Sequence, residues 1–164
     1  MRHRPWPIIL AGMLAACGDN PENVPEKGQW TMTTRVALSV AGMPVPRDQY
    51  PPEFTALEEG ESRCGEPMFI DREWQEKDIN RRIEGRCELT RYDVTPIQVV
   101  GEGVCHDVHS ESGYSPALRL RVDQSARRYT LSIALDGEAT LPGVPGRHRL
   151  VAAVTQEGIR TGDC

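Results

Sequence analysis

The run Cys105-His106-Asp107-Val108-His109 brings two imidazoles and a carboxylate close together, the donor types that bind zinc or copper. Alternation along a strand sends His106 and Asp107 to opposite faces, and His106 and His109, three apart, to opposite faces as well. The run therefore reads as a strand end with solvated polar residues, and no metal or other cofactor is expected. His148 is a candidate lone general base, but on a strand it reads as a half-buried histidine. No Gly-x-Ser-x-Gly is present to hold a serine nucleophile on a sharp turn. Gly101-Glu102-Gly103 has no helix after it and reads as a bulge or bend in a strand, not a phosphate cradle. The carboxylates are numerous and scattered, as on a solvated surface. These residues favour a non-catalytic binding or accessory module; a hydrolase stays as the alternative, because catalytic pairs that assemble in space leave no local pattern.

The cysteines say more about setting than about activity. There are five, Cys17, Cys64, Cys87, Cys105 and Cys164, and an odd count in an exported chain calls for an explanation. Residues 1–16 supply the export signal: Arg2 and Arg4, an apolar run from Trp6 to Leu14, then Ala15 and Ala16. The run is broken by Pro7 and is far shorter than the roughly 20 apolar residues of a membrane-spanning helix. Leu14-Ala15-Ala16-Cys17 resembles the lipobox of bacterial lipoproteins. The resemblance implies that the Cys17 sulfur receives a diacylglycerol, that the leader is cut just before it, and that the membrane is reached through this lipid. Each buried acyl methylene contributes ~0.8 kcal/mol, and more than one chain is needed for stable anchoring.

Residues 17–28 then form the lipidated cysteine and a tether rich in Pro, Asn, Glu and Gly, with little to bury. Asp19 stands second after the cysteine and not next to it, so the resemblance favours the periplasmic face of the outer membrane. Residues 29–164 make one domain. The formal net charge of −5 becomes −7 once the leader arginines Arg2 and Arg4 are removed, a balance that repels phosphates and argues against nucleic acid. An unknown protein or a small apolar ligand is the expected partner.

Aromatic residues are 5% of the chain while glycines number 15 and prolines 13, which suits short strands and turns better than a helical bundle. Trp30, Met32, Val36 and Leu38 alternate with polar residues over 29–40, the pattern of a half-buried strand. The prolines of 41–52 predict an irregular excursion, and Phe54 to Glu59 a helical turn. One helix is predicted from an Asp71 cap to about Ile83, supported by Glu73–Lys77 and Asp78–Arg82 spacings and ended by Gly85; Trp74, Ile79 and Ile83 give it a narrow apolar face. Strands follow over 87–94 and 97–108 about Thr95-Pro96, then a hairpin of Leu118, Leu120 and Val122 with Tyr129, Leu131, Ile133 and Leu135 around 124–127. Residues 137–146 read as a break, and 147–155 as a further strand. The expected fold is mainly β: an antiparallel meander curling into a barrel or sandwich to remove its edges, with one short helix at the rim.

If Cys17 carries lipid, four cysteines remain, with three possible pairings. Cys87 and Cys105 are symmetric about Pro96, so a hairpin turning there sets them opposite each other, within bridging range. That leaves Cys64 with Cys164. A four-cysteine metal site lacks any Cys-x-x-Cys pair and suits an oxidising compartment poorly. Gly28-Gln29-Trp30 opening a strand, cysteines at 64, 87 and 105, and a terminal Gly162-Asp163-Cys164 together resemble the domain-of-unknown-function family 3617 across essentially the whole mature chain. That family consists of small exported bacterial proteins, many with a lipobox, and has no assigned activity. Its members often have a proline just before the opening Gly and Trp, where this chain has Glu26-Lys27.

Overall fold

A computed structural model of the chain describes residues 23–58, 60–82, 86–108 and 113–164. The leader, Cys17, Ile83, Gly85 and His109 lie outside them. Alternation dictates the first strand: in β1, Gly28–Val40, Trp30, Met32, Thr34, Val36 and Leu38 are buried while the residues between them face solvent. Ala41 and Gly42 both take positive φ, 51° and 80°, forming a two-residue turn into β2, Met43–Pro44. A 3-10 turn at Arg47–Gln49 and a short helix α1, Pro52–Ala56, lead to β3, Glu61–Gly65, which pairs with the start of β1. Helix α2, Arg72–Arg82, begins where Asp71 Oδ1 accepts a hydrogen bond from the Trp74 amide at 3.0 Å.

Five consecutive strands follow: β4 Arg86–Val94, β5 Gln98–His106, β6 Ala117–Ser125, β7 Arg128–Leu141 and β8 Val144–Gly162. They pair as an antiparallel meander, and β8 then runs along the whole of β1. The spatial order is β2-β1-β8-β7-β6-β5-β4, with β3 beside β1. The expected closure does not occur. Among the described residues this is one open eight-stranded sheet, not closed into a barrel; β4 forms one edge, and the other is the middle of β1, whose two ends are covered by β2 and β3.

Side chains from the 45–82 segment satisfy both edges. On β1, the Val36 amide donates to Glu58 Oε1 at 2.8 Å and the Leu38 amide to the Tyr50 hydroxyl at 3.0 Å. On β4, Asn80 exchanges two hydrogen bonds with the Cys87 backbone at 2.9 and 2.6 Å, Glu76 Oε1 accepts from the Leu89 amide at 2.8 Å, and Arg72 donates to the Leu89 carbonyl. Residues 72, 76 and 80 form one stripe of α2 at four-residue spacing, so the helix occupies the place of a neighbouring strand by means of polar side chains. The predicted apolar face is narrower than expected: Ile79 and Gln75 are buried, and Trp74 is 39% exposed. Of the two predicted ion pairs, Asp78–Arg82 forms at 2.8 Å; along the described residues of this helix Arg72 also pairs with Glu76 at 3.1 Å, and Arg81 with Asp78.

The stretch read as a break at 137–146 is mostly strand. Only Pro142-Gly143 turns; Leu141 pairs with Val144 and Thr140 with Arg147, so Pro145 and Gly146 are the extra residues of a bulge, where a missing amide costs no ladder bond. Gly137 is set by packing: a Cβ there would lie 2.8 Å from Pro116 Cα. The tether expected through Gly28 is held against the body from Asn23 onward. Asn23 Nδ2 donates to Pro67 O at 2.9 Å, the Glu26 amide donates to Ala126 O at 3.0 Å, Pro25 is fully buried, and Gly28 already belongs to β1.

Cys64 is bonded to Cys164 and Cys87 to Cys105, with Cα separations of 5.6 and 3.9 Å. The β4–β5 turn is centred half a residue beyond Pro96, with Val94 opposite Val99. A bulge at Thr90 absorbs the difference and brings Cys87 opposite Cys105. Among the described residues no helix is long and apolar enough to cross a membrane, and the disulfides are consistent with an exported protein.

Candidate ligand-binding cavity

The sequence candidates for metal or acid–base chemistry do not converge. His106 is exposed at the end of β5, and Asp107 takes φ 53°, a left-handed conformation that ends the strand and turns the chain away. Val108 then bridges to Tyr114. Among the described residues no three His, Cys, Asp or Glu side chains gather in a way that holds a metal ion. His148 stands on the β8 arm with its Nε2 2.9 Å from the Pro145 carbonyl oxygen, and β7 and β6 lie between its strand and that of His106. Gly101 and Gly103 lie in β5 as buried strand residues; the bulge is on the facing strand at Thr90.

The functional geometry lies on the apolar face of the sheet. A cavity of about 950 Å³ opens there, within the size range of small-molecule sites. Its sheet wall comes from three adjacent strands: Leu38 and Val40 of β1, Leu150, Ala152 and Val154 of β8, and Leu131, Ile133 and Leu135 of β7. Strand register aligns these residues in rows, Val36–Val154–Ile133 and Leu38–Ala152–Leu135, so that alternation alone gives the wall its aliphatic character. The opposite wall is the connecting segment, with Val45, Phe54 and Leu57 on one side and Met68, Trp74 and Ile79 on the other. Leu131, Ile133, Leu150 and Val154 pack against the core at their base and are only partly buried, because they also border this space.

An aromatic cluster separates the cavity from the filled part of the interior. Trp30 is fully buried, donates from Nε1 to the Glu26 carbonyl at 3.0 Å, and has its ring 5.5 Å from that of Tyr129. Phe69 meets Tyr129 edge-on at 4.8 Å. The two aromatics from β1 and β7 reach each other across β8 because Gly158 lies between them: a Cβ there would lie 2.1 Å from Tyr129 Cε1. Tyr92, on β4, donates its hydroxyl to the Phe69 carbonyl at 2.5 Å and so ties the crossing segment to the far edge.

Beside this cluster the cavity becomes polar. Tyr129 donates its hydroxyl to Gln156 Oε1 at 2.9 Å, and Gln156 Nε2 donates to Thr34 Oγ1 at 3.2 Å. Arg63 of β3 and Asp78 and Arg82 of α2 complete this end. Burial pushes the Tyr129 hydroxyl up to about 12, with Arg63 lowering it, Glu61 raising it and Arg82 lowering it in turn. Burial likewise raises Tyr92 and Tyr114, with Asp71 and Asp136 adding to it. These hydroxyls stay protonated at neutral pH and act as hydrogen-bond donors, not as bases.

Sequence reading placed Leu38, Leu131, Ile133 and Leu135 on alternating strands and 147–155 in a strand with no buried face assigned, and did not show that these side chains face a space. The available signal was the 5% aromatic content: with Trp30, Phe69 and Tyr129 placed together at one point, little bulk remains to fill the rest of so large a sheet. Compared with known proteins, the chain matches no family model, no curated protein and no solved structure.

Proposed function

We propose that this chain is an envelope lipoprotein whose open β-sheet holds a small apolar ligand, without catalysing a reaction on it. The observation that carries the reading is the aliphatic wall of a cavity of about 950 Å³, built by Leu38, Leu131, Ile133, Leu150 and Val154. A well-packed interior leaves few voids larger than a water molecule, so a space of this size lined by leucine, isoleucine and valine is a binding chamber in the general pattern of ligand sites. The exported setting is supported by the two disulfides. Anchoring through acylated Cys17 at the periplasmic face of the outer membrane is supported by Leu14-Ala15-Ala16-Cys17 and by the distance of Asp19 from the cysteine. The resemblance of Gly28-Gln29-Trp30 and Gly162-Asp163-Cys164 to family 3617 points to the same class.

Titration with N-phenyl-1-naphthylamine, a neutral fluorophore that brightens in apolar surroundings, tests the reading. Saturable one-to-one binding is expected, and Ala152→Phe together with Val154→Phe, which project bulk into the chamber, should abolish it while both disulfides still form. No enhancement in the wild-type protein, or equal enhancement in the filled variant, would remove the proposed function.

A further inference from the structure

We infer that the ligand is a single-chain anionic amphiphile, its acyl tail along the aliphatic wall and its acidic head at Arg63 and Arg82. The inference rests on the proposed binding function and names its substrate class. Three features carry it.

The first is that the chamber has two chemically different ends. In the row Thr34–Gln156–Leu131 two of three sheet positions are polar, whereas the rows from Val154 on toward Leu150 and Val40 are aliphatic. From Gln156 to Leu150 is six residues of strand, about 20 Å at ~3.3 Å per residue; a zigzag hydrocarbon advancing about 1.25 Å per bond spans that length with about 16 carbons.

The second is charge. The chain as a whole is acidic, with a net charge of −5, yet the polar end of its cavity gathers guanidinium groups. Arg82 Nε donates to Asp78 Oδ2 at 2.8 Å, and Arg81 pairs with the same carboxylate. Arg63 has no ion pair among the described residues, and both Arg63 and Arg82 act on the Tyr129 hydroxyl from nearby, with Glu61 as the opposing carboxylate. Among the residues that line the chamber, Arg63 and Arg82 stand against the single carboxylate of Asp78, an excess of one positive charge. A guanidinium fork fits a carboxylate or phosphate oxygen pair.

The third is the direction of the hydrogen-bond chain. Tyr129 donates to Gln156 and Gln156 to Thr34 Oγ1, which leaves the Thr34 hydroxyl proton to be given to an acceptor at the head of the tail. A neutral hydrocarbon uses neither the Thr34 proton nor the guanidinium groups of Arg63 and Arg82; an anionic head on an acyl tail uses both.

The shared chemistry, an acidic head on one acyl chain, is met by a free fatty acid or by a lysophospholipid. The test is displacement of N-phenyl-1-naphthylamine from the full-length protein in mild detergent-free buffer, at low and at high salt, by palmitate, by hexadecanol and by palmitoyl-lysophosphatidylglycerol. Palmitate is expected to displace the fluorophore at concentrations about tenfold lower than hexadecanol at low salt, with the gap narrowing in high salt. Arg63→Gln with Arg82→Gln should remove that preference and leave hexadecanol within about twofold of wild type, whereas Arg82→Lys should retain part of it. Lysophosphatidylglycerol behaving like palmitate assigns the site to acidic lipids in general; palmitate alone showing the preference assigns it to the free acid. Equal displacement by palmitate and hexadecanol in the wild type, or a preference that survives the double variant, would overturn the head-group assignment while the chamber stands. Failure of the fluorophore itself to bind would overturn the chamber, a separate result.

Discussion

The two halves of the sheet carry the same alternating pattern and use it differently. In β4, β5 and β6 the inward side chains Leu89, Val99, Leu118, Leu120 and Val122 are all 0–2% exposed and meet other side chains. In β7 and β8 the equivalent aliphatics Leu131, Ile133, Leu150 and Val154 are partly open and border the chamber, and Leu38 of β1, though buried, lines it beside them. What differs is the layer above. Phe69, tied to Tyr92 and edge-on to Tyr129, and helix α2, bound to β4 through Arg72, Glu76 and Asn80, lie tightly over the first half. The layer over the second half, Val45 to Leu57, is held at the β1 edge by Glu58 and Tyr50, packs against the core through Val45, Phe54 and Leu57, and with the same side chains lines the chamber. An apolar stripe thus tells which face is inward; whether that face is filled or hollow depends on where the covering segment is fastened.

Each half has its own disulfide, and their removal should separate the halves most strongly. Cys64–Cys164 ties β3, beside β1, to the end of the chain after β8 and closes a sequence separation of 100 residues that runs through both halves, and Cys87–Cys105 closes one of 18 within the filled half. In the chain-entropy account these correspond to about 4.7 and about 3 kcal/mol. Urea unfolding of the two Cys→Ser double variants should show that order. The second contrast is between matched truncations: Leu120→Ala should cost about 3 kcal/mol, whereas Ile133→Ala, which enlarges an existing space and leaves fewer broken contacts, should cost about 1 kcal/mol. Equal costs in urea unfolding would mean that the two halves are packed alike. Asn80→Ala should cost about 1–2 kcal/mol, because it leaves the Cys87 amide and carbonyl at the β4 edge without their side-chain partners. Hydrogen exchange should then quicken at β4 and not at β8.

The smallest effect at neutral pH is that of the three buried tyrosines. Tyr92, Tyr114 and Tyr129 all have raised hydroxyl pKa values in the folded protein, with Tyr129 at about 12, against 10.0 for a free tyrosine. Their contribution is complete below pH 10 and is lost as pH rises from there toward the folded values, since the unfolded chain loses these protons first. Melting temperature should be flat from pH 8 to 10 and fall above it, and Tyr129→Phe should lessen the fall.

Much of the sheet was legible in the sequence because its information is local. The alternation from Leu118 to Leu135 fixes a hairpin and its inward face, Asp71 marks the start of α2, and the near-symmetry of Cys87 and Cys105 about Pro96 sets their pairing, with the Thr90 bulge supplying the half-residue correction. Three features depended on distant partners. Gly137, Pro145 and Gly146 read as chain breakers, but Gly137 answers the approach of Pro116, and Pro145 and Gly146 sit in a bulge of a strand continued by its neighbour. The role of the polar stripe Arg72, Glu76 and Asn80 of α2 went unread because its partners, the backbone groups of Cys87 and Leu89, cannot be seen from the helix alone. The openness of the sheet follows from those same side chains: edges satisfied by Glu58, Tyr50, Glu76 and Asn80 need not pair with each other, so the barrel need not close.

The hollow half is the central claim, and a crystal of the protein under xenon pressure tests it most directly, because xenon enters dry apolar spaces and little else. Xenon density is expected among Leu131, Ile133, Leu150 and Val154 and nowhere between β5 and β6. Those four side chains in mutual contact, with no xenon between the sheet and Phe54, would contradict the account.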